Sequence, residues 1–539
     1  MRVRKPEPVA PPRLPIAVRA AVSTAIPVLL GWAAGDVGAG LIATLGAFTS
    51  RFGVGRPYLS RGVQLAVVAV ALAAAVAAGA WAADIAWLGV LTISAVAVAA
   101  VWLCTALAVG PPGAYVFVVA CAAGVGVSAS HLSPGQIALL VLAGGAIAWL
   151  VQMVGAATGF RRPERAAVRT AAEAVAGYLD TVGEPDQDRA RHRAATALHQ
   201  AWTNLVNHQP LAAPAGSELA RLRATTHAVH VLFADAMSAA ARGEAPEPGS
   251  AEVARALGAR RVEPDTIAHR DPDRLPLGRP PTRDLLRQAL QTGSQTRRVM
   301  VRVALGVPLA GFAAVGLGVD RAYWAMAAAV LVLHQGTPLW RTLRRGAERL
   351  AGTWIGLGLA AAVIVVHPQG WFLAVVLALL NFAIEMLVTR NYLLASVFIT
   401  ATALTIGTAS RHLEPGQVGH LLLARGLDTL IGCAVGMAVY VVLAGRQEIR
   451  RLDDAIARTR AAIAATEPFV AAGDAVSLPA RAARRDLQRA TLDMLEAHEA
   501  ATGGSKDQRA AAHRLWPDVV AVEHISYETI AALWAIETR

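Results

Sequence analysis

Arg425 and Asp428 are the residues of this sequence whose types and spacing best suit chemistry. They lie three residues apart in an apolar segment from about 415 to 444. A charge inside a bilayer is costly and usually faces a partner or a watery cavity. One helical turn apart, the two side chains can pair, and protonation of Asp428 would free Arg425 to bind a carboxylate. An ion pair that only holds two membrane spans together is the alternative.

Glu385 is a second acidic residue inside an apolar segment, five residues before Arg390. It could relay protons or anchor a neighbouring arginine, and the sequence leaves both roles open. Proton-coupled transport needs a titratable group in the pathway, and Glu385 and Asp428 are candidates for that group.

The histidines, the cysteines and the phosphate-binding motifs of the sequence indicate neither an enzyme active site nor a metal site. His227 and His230 lie one helical turn apart, but no acid or cysteine follows at the next turn, so we expect a polar helix face. The three cysteines fall inside apolar runs without zinc or disulfide spacing. The chain also lacks a phosphate-binding Walker sequence. We therefore predict no catalytic residues, no metal site and no cofactor, and a protein that is not an enzyme.

The composition is typical of a protein that crosses the membrane several times. The chain has 539 residues, of which 55% are hydrophobic and 16% charged, and its mean hydropathy is +0.45. Soluble proteins carry about 25% charged residues. The net charge of +12 indicates arginine-rich cytoplasmic loops rather than a nucleic-acid partner. The predicted partner is instead the lipid bilayer of the cell (inner or plasma) membrane.

Polar markers recur with matching spacing and indicate an internal repeat. The interval in sequence from Asp36 to Arg61 equals the interval from Asp320 to Arg345. The segment 131–136 (HLSPGQ) likewise matches 412–417 (HLEPGQ), and the two sets of markers are separated by nearly the same distance along the chain. Near-equal separations at both ends indicate two copies of one unit.

The second segment of each repeat, about 38–48 and 322–335, is apolar but short. It covers at most roughly 20 Å, less than the roughly 30 Å hydrocarbon core. Short helices at matching places in two halves point to a transport site, and a tilted helix with a looser loop is the alternative.

We predict an all-α, polytopic membrane protein with two parallel six-span repeats, about 12 transmembrane helices, and cytoplasmic helical domains. Six crossings return the chain to its starting side, so both repeats have the same orientation. Amphipathic helices are expected at 162–182, 187–207, 218–242 and 282–297, with a linker at 243–281. The predicted domains are a cytoplasmic tail (1–15), the first transmembrane repeat (16–157), a cytoplasmic helical domain (158–298), the second transmembrane repeat (299–444) and a cytoplasmic helical C-terminal region (445–539).

Two motifs in the second repeat resemble the fusaric acid resistance (FUSC) family, which includes aromatic acid exporters. The first combines Tyr323-Trp324-Ala325 with Arg345, Arg349 and Gly352-Thr353-x-x-Gly356, and the second is Arg425-x-x-Asp428-Thr429-x-x-Gly432. The resemblance implies efflux of aromatic or other small organic acids, driven by the proton gradient. The substrate and proton pathway is then expected to contain Arg425, Asp428, Glu385, Tyr323, Trp324, Arg345, Arg349 and Thr353.

Two other functions remain open, a channel-like pathway for organic anions and a membrane scaffold whose cytoplasmic helices bind a partner. Plant malate channels resemble this layout distantly and would need no titratable group. A scaffold would tolerate the loss of Arg425 and Asp428. The sequence is also compatible with a homo-oligomer.

The distribution of arginines predicts that both termini and 158–298 are cytoplasmic. Reporter fusions placed after Arg298 and after Arg539 are expected to report the cytoplasmic side. An outside signal at either position would remove at least one of the predicted spans.

Overall fold

The computed structural model describes residues 13–127, 132–207, 209–210, 213–214, 216–264, 276–292, 294–319, 321–334, 339–409, 415–444, 447–504 and 506–538. The repeat markers Asp320, His131 and 412–414, together with residues 1–12 of the predicted N-terminal tail, lie outside the described residues.

Every regular element within the described residues is helical, which confirms the all-α prediction. In chain order the α-helices are α1 (Arg13–Ala33), α2 (Val37–Ala43), α3 (Tyr58–Trp81), α4 (Ala86–Ala106), α5 (Tyr115–Val127), α6 (Pro134–Gly159), α7 (Arg162–Leu179), α8 (Gln187–Trp202), α9 (Glu218–Ala241), α10 (Ser250–Gly258), α11 (Thr282–Leu290), α12 (Gln295–Gly316), α13 (Tyr323–Leu333), α14 (Leu339–Val366), α15 (Gly370–Leu387), α16 (Tyr392–Thr408), α17 (Pro415–Ala444), α18 (Gln447–Ala471), α19 (Leu478–Thr502) and α20 (Lys506–Thr538). A 3₁₀-helix, Gly46–Arg51, follows α2, and a π-helical turn, Thr203–Asn207, follows α8.

The helices divide into two compact units. Unit 1 comprises the described residues of 1–55, 61–155 and 281–445, and unit 2 those of 56–60, 156–280 and 446–539. Within the described residues nine helices are long and apolar enough to cross a membrane. Eight of them belong to the predicted spans, and the ninth is α20 of unit 2. The chain is thus an all-helical protein with several apolar helices of membrane-spanning length.

The second segments of both predicted repeats are short helices, as the sequence predicts. Helix α2 has 7 residues and α13 has 11, which correspond to about 10 Å and about 16 Å along the helix axis. The Asp36 carboxylate caps α2 by accepting a hydrogen bond of 2.8 Å from the Ala39 amide. Neither helix reaches across the roughly 30 Å hydrocarbon core.

Both halves of unit 1 pack their short second helix against their sixth helix. Neither contact leaves room for a side chain: a Cβ at Gly144 would overlap the Ala43 carbonyl, and a Cβ at Gly432 would overlap the Ala325 carbonyl. The absence of a Cβ lets the two helix backbones touch in each half.

The other helix pairs of unit 1 also correspond between the halves. Helices α3 and α5 meet where Gly79 touches the Cys121 carbonyl, and α14 and α16 meet where Gly356 touches the Val397 carbonyl. The first helix of each half packs against the fourth helix of the other half. Helix α1 packs against α15, and α12 packs against α4. The same helix pairs therefore recur in the two halves of unit 1.

Unit 2 is a bundle of α7–α10 and α18–α20 around an apolar core that includes Phe233 and Trp534. The expectation of a polar helix face at His227 and His230 is wrong, since both are buried. Their imidazoles lie 5.3 Å and 4.2 Å from the Trp534 ring, and Trp202 donates a hydrogen bond of 3.1 Å to His230 Nδ1. Aromatic packing partners make this helix face part of the core.

Two further sequence expectations need correction. The predicted linker 243–281 contains a helix, α10, because Ala254 and Leu257 are buried as α10 packs against α7. The helix expected at 282–297 is interrupted between α11 and α12. The Ser294 hydroxyl accepts a hydrogen bond of 3.1 Å from the Arg297 amide and so begins the new helix there.

The contact at Gly432 predicts a measurable loss of stability on a minimal substitution. Gly432→Ala inserts a methyl group against the Ala325 carbonyl and Ala328 Cβ, which should lower the free energy of unfolding by about 1–3 kcal/mol. Gly358→Ala is the matched control, because nothing lies within 4 Å of its added Cβ, and alanine favours a helix over glycine by up to about 1 kcal/mol. The measurement is the thermal midpoint in detergent, and equal midpoints for the two variants would contradict the close contact.

Candidate functional site

Arg425 lies near the middle of α17, with only 4% of its surface exposed. Its guanidinium stacks on the indole ring of Trp324, 3.7 Å from the ring centroid, because α13 packs against α17. The Nε and Nη1 atoms have no hydrogen-bond acceptor among the described residues. A guanidinium held on an aromatic face keeps these in-plane N–H groups directed away from the ring, where an anion can accept them.

Arg349 is a second buried arginine, on α14, and is 3% exposed. It lies beside the phenol groups of Tyr115 and Tyr392 and near Arg425, since α14 also packs against α17. Its Nε and Nη1 atoms likewise have no acceptor among the described residues. Two neighbouring guanidiniums in apolar surroundings repel each other, and a bound anion would relieve that repulsion.

Both arginines line one cavity of about 1170 Å³ within unit 1. Its wall comes from both halves: α2, the 3₁₀-helix and α5 from the first, and α13, α14, α16 and α17 from the second. The aromatic and cationic lining residues are Phe48, Arg51, Tyr115, Arg321, Tyr323, Trp324, Arg349 and Arg425. The cavity exceeds the roughly 300–1,000 Å³ of most small-molecule sites, so it can hold an aromatic acid together with water.

An ion pair at Arg51 joins the two halves beside this cavity. Arg51 Nε lies 3.2 Å from Glu385 Oε1, and Arg51 Nη2 donates a hydrogen bond of 3.0 Å to Asn381 Oδ1. Arg51 ends the 3₁₀-helix of the first half, whereas Asn381 and Glu385 lie one turn apart on α15. Of the two roles predicted for Glu385, anchoring an arginine is the one that this geometry shows directly.

The other predicted site residues surround the cavity at different depths. Tyr323 and Trp324 line it, with ring centroids 5.5 Å apart. Asp428 and Thr353 are fully buried behind the lining residues. Asp428 lies one turn after Arg425, and Thr353 lies one turn after Arg349. Arg345 is half-buried and lies over the Tyr392 ring, 5.3 Å from its centroid.

Sequence reasoning missed Arg51, Tyr115 and Tyr392. In the sequence Arg51 resembles the other arginines expected in cytoplasmic loops, and its contact with Asn381 spans 330 residues of sequence. A signal did exist for the two tyrosines, because each is the first residue of the fifth helix of its half. Matching tyrosines at that position place two phenols beside Arg349.

Comparison with known proteins identifies this part of the chain. Residues 309–439 match the family described as fusaric acid resistance protein-like. This region is similar to fusaric acid resistance proteins. The match contains all eight predicted site residues and confirms the family resemblance that the sequence motifs indicated.

The similarity to a known protein extends beyond the fusaric acid resistance protein-like domain. The chain is 25% identical over 552 residues to the uncharacterized membrane protein YvaC of Bacillus subtilis (strain 168), over 96% of this chain and 85% of that protein. No solved structure matches the chain significantly. The similarity shows that this is a membrane protein and leaves its substrate undefined.

Because Arg51 and Glu385 form an ion pair, substitutions of the two residues should have non-additive effects on the free energy of unfolding. Glu385→Gln leaves the largely buried Arg51 without its counter-charge, and we expect a loss of about 1–3 kcal/mol, below the range for fully buried pairs because Asn381 remains as an acceptor. Adding Arg51→Gln should cost less than the sum of the two single substitutions.

The control for this cycle is Arg344–Glu348, an ion pair of 2.8 Å whose arginine side chain is 63% exposed. Its coupling energy is expected to be about 0.5 kcal/mol or less. Thermal midpoints of the single and double variants in detergent measure both cycles. Strictly additive losses at Arg51 and Glu385 would contradict the pairing.

Proposed function

We propose that this chain is an integral membrane efflux transporter for aromatic or other small organic acids, coupled to the proton gradient. The observation that carries the proposal is the cavity of unit 1, in which Arg349 and Arg425 are buried among aromatic side chains. Cationic and aromatic groups in one cavity match the two parts of an aromatic carboxylate. The fusaric acid resistance protein-like domain at 309–439 supports the same substrate class.

The Arg425 guanidinium is the group that we assign to the carboxylate. Its two unoccupied donor atoms, Nε and Nη1, lie on different edges of the guanidinium plane, and each can donate a charge-assisted hydrogen bond to a carboxylate oxygen. Trp324 holds the guanidinium plane in place, so little side-chain entropy is lost on binding. Tyr323, Phe48 and Tyr115 offer ring faces and edges to the apolar part of the substrate.

The proposed architecture is two parallel six-span repeats in the cell membrane, with both termini cytoplasmic. The recurrence of the same helix pairs in the two halves of unit 1 supports the repeat. The cavity between the halves has the location expected of a transporter built from two repeats. Helices α2 and α13 are too short to span the bilayer alone, so in this architecture the chain that follows each of them completes the second crossing, and their ends contribute to the substrate site.

The charges around the cavity support an outward-facing state. Asp36 and Asp84 line the cavity, and both lie at ends of apolar segments opposite the arginine-rich ends, which places them on the outer side under the positive-inside rule. The Arg51–Glu385 pair lies at the predicted inner end, where it joins the two halves. Alternating access then requires that this pair separate before a substrate can enter from the cytoplasm.

Proton coupling follows if Glu385 is protonated from the outer side. Protonation removes its negative charge, releases Arg51 and opens the inner end. After a substrate anion binds from the cytoplasm, Glu385 loses its proton to the cytoplasm and pairs with Arg51 again. One proton then moves inward for each return of the empty carrier, which is the direction that export requires.

Asp428 has a different part in this scheme. Its carboxylate lies one turn from Arg425, and its negative charge opposes a bound anion. Protonation of Asp428 would strengthen anion binding, so proton and anion would move together. That sign of coupling opposes export against an inward proton gradient, and we therefore assign the coupling proton to Glu385 and the adjustment of affinity to Asp428.

The central test is export by Arg425→Gln in inverted vesicles, across a panel of aromatic acids and with or without a proton gradient. We expect transport to fall by about tenfold or more because the charged hydrogen bonds to the carboxylate are lost. Arg302→Gln is the matched control, since Arg302 is also buried, 4.7 Å from the Tyr440 ring centroid, but lies outside the cavity lining. Normal export by Arg425→Gln would overturn the site.

The two acidic residues separate the coupled transporter from a channel. Glu385→Gln should express and move substrate down its gradient without any effect of the proton gradient, whereas Asp428→Asn should keep that effect and bind substrate more tightly. The measurements are the transport rate and the half-saturating concentration at two pH values. Wild-type flux that ignores the proton gradient would favour the channel-like pathway instead.

A further inference from the structure

Unit 2 contains a small pocket that the proposed transport function does not use. Its volume is about 50 Å³, and it lies among the end of α8, the segment 276–279, α19 and Trp534 of α20. The lining residues are His199, Trp202, Thr203, Val206, Asn207, Pro276, Leu277, Gly278, Arg279, Arg481, Arg484, Arg485, Gln488, Arg489 and Trp534. The described lining residues thus include five arginines and neither an aspartate nor a glutamate.

The arginines of α19 are arranged as a stripe that costs helix stability on its own. Arg481, Arg485 and Arg489 follow one another at intervals of four residues, so they share one helix face. Like charges at this spacing destabilise a helix. An anion bound along the stripe would offset that repulsion.

Three of the pocket arginines lie near carboxylates: Arg484, Arg485 and also Arg489, whose charge acts on Asp493. Glu537 pairs with Arg484, and both side chains are buried. Asp486 lies 2.9 Å from Arg485 Nε, and its own side chain points to solvent, with 55% exposed. Arg485 also donates a hydrogen bond of 3.3 Å to the Gly278 carbonyl, which fixes its guanidinium at the pocket wall.

The remaining groups of the pocket experience an excess of positive charge. Burial, and after it the charge of Arg489, lowers the pKa of His199. Burial lowers the pKa of Arg279, and the charges of Arg489 and Arg56 add to this effect. The Asn207 side chain accepts a hydrogen bond of 2.8 Å from the Arg279 amide, so the segment that carries Arg279 is held against the pocket.

We infer that this pocket binds the phosphate group of an anionic ligand. Guanidinium groups bind phosphate through paired, charge-assisted hydrogen bonds. The pocket volume is several times the roughly 10–15 Å³ that one water molecule needs on the same measure, and it suits a single tetrahedral oxyanion. The rest of the ligand lies outside the pocket, and the phosphate belongs to a soluble metabolite or to a lipid headgroup.

The test uses the full chain in detergent and inorganic pyrophosphate as the probe, with chloride added to match ionic strength. A ligand that binds only the folded state raises the thermal midpoint with its concentration. We expect such a rise for the wild type and a loss of affinity of about tenfold or more for Arg489→Gln. Arg451→Gln is the matched control, because Arg451 is also half-buried and near Asp493 but does not line the pocket.

Reconstitution distinguishes the two sources of phosphate. The same variants are compared in nanodiscs of phosphatidylcholine alone and with phosphatidic acid. Stabilisation by pyrophosphate in both kinds of nanodisc supports a soluble ligand, and stabilisation only by phosphatidic acid supports a headgroup, provided that Arg489→Gln abolishes it. No stabilisation by either probe, or an equal loss in Arg451→Gln, would overturn the proposal.

Discussion

The burial of two guanidinium groups in apolar surroundings is the constraint on which the rest of unit 1 depends. An arginine at the centre of a membrane helix costs about 2.5–3.5 kcal/mol, and Arg349 and Arg425 are both buried on neighbouring helices. The structure reduces this cost with an aromatic face at Arg425 and two phenols at Arg349. Their unoccupied N–H groups are left beside a cavity, where water or a substrate anion can complete the solvation.

The short second helices make that cavity sterically available. Because α2 and α13 end well before a full membrane crossing, they leave space between the two halves that longer helices would fill. Close packing at Gly144 and Gly432 holds each short helix against its neighbour without large side chains. Backbone contact therefore supplies the rigidity, and the side chains of α13 remain available to line the cavity.

Local features of this fold could be predicted, and long-range contacts could not. Runs of apolar residues predict helix positions close to those observed, since helix bounds depend on nearby residues. The pairing of Arg51 with Glu385 depends on how two distant helices meet, and nothing local distinguishes Arg51 from a loop arginine that sets topology. His227 and His230 were misjudged for the same reason, because aromatic neighbours from distant helices cover them.

The predicted site residues also divide into those whose role follows from the sequence motif and those whose role depends on packing between helices. Arg425 and Trp324 were predicted from the family resemblance, and the structure places them in contact. Thr353 belongs to the same motif but lies within the contact between α14 and α16, where Gly352 touches the Leu393 carbonyl. A motif therefore combines residues that form the cavity wall with residues that let two helices approach. Only the three-dimensional packing separates these two classes.

The difference between the halves explains why the arginine occurs in only one of them. When the two predicted repeats are aligned on the matching segments 131–136 and 412–417, Arg425 corresponds to Gly144. Gly144 is the point at which the sixth helix of the first half touches Ala43, so no side chain fits there.

In the second half the closest contact is at Gly432, seven residues after Arg425 and hence about two helical turns further along α17. The shift moves the backbone contact away from the level of Arg425 and leaves room for its side chain against Trp324. One half of unit 1 is therefore closed at this level, whereas the other half carries the charged side chain.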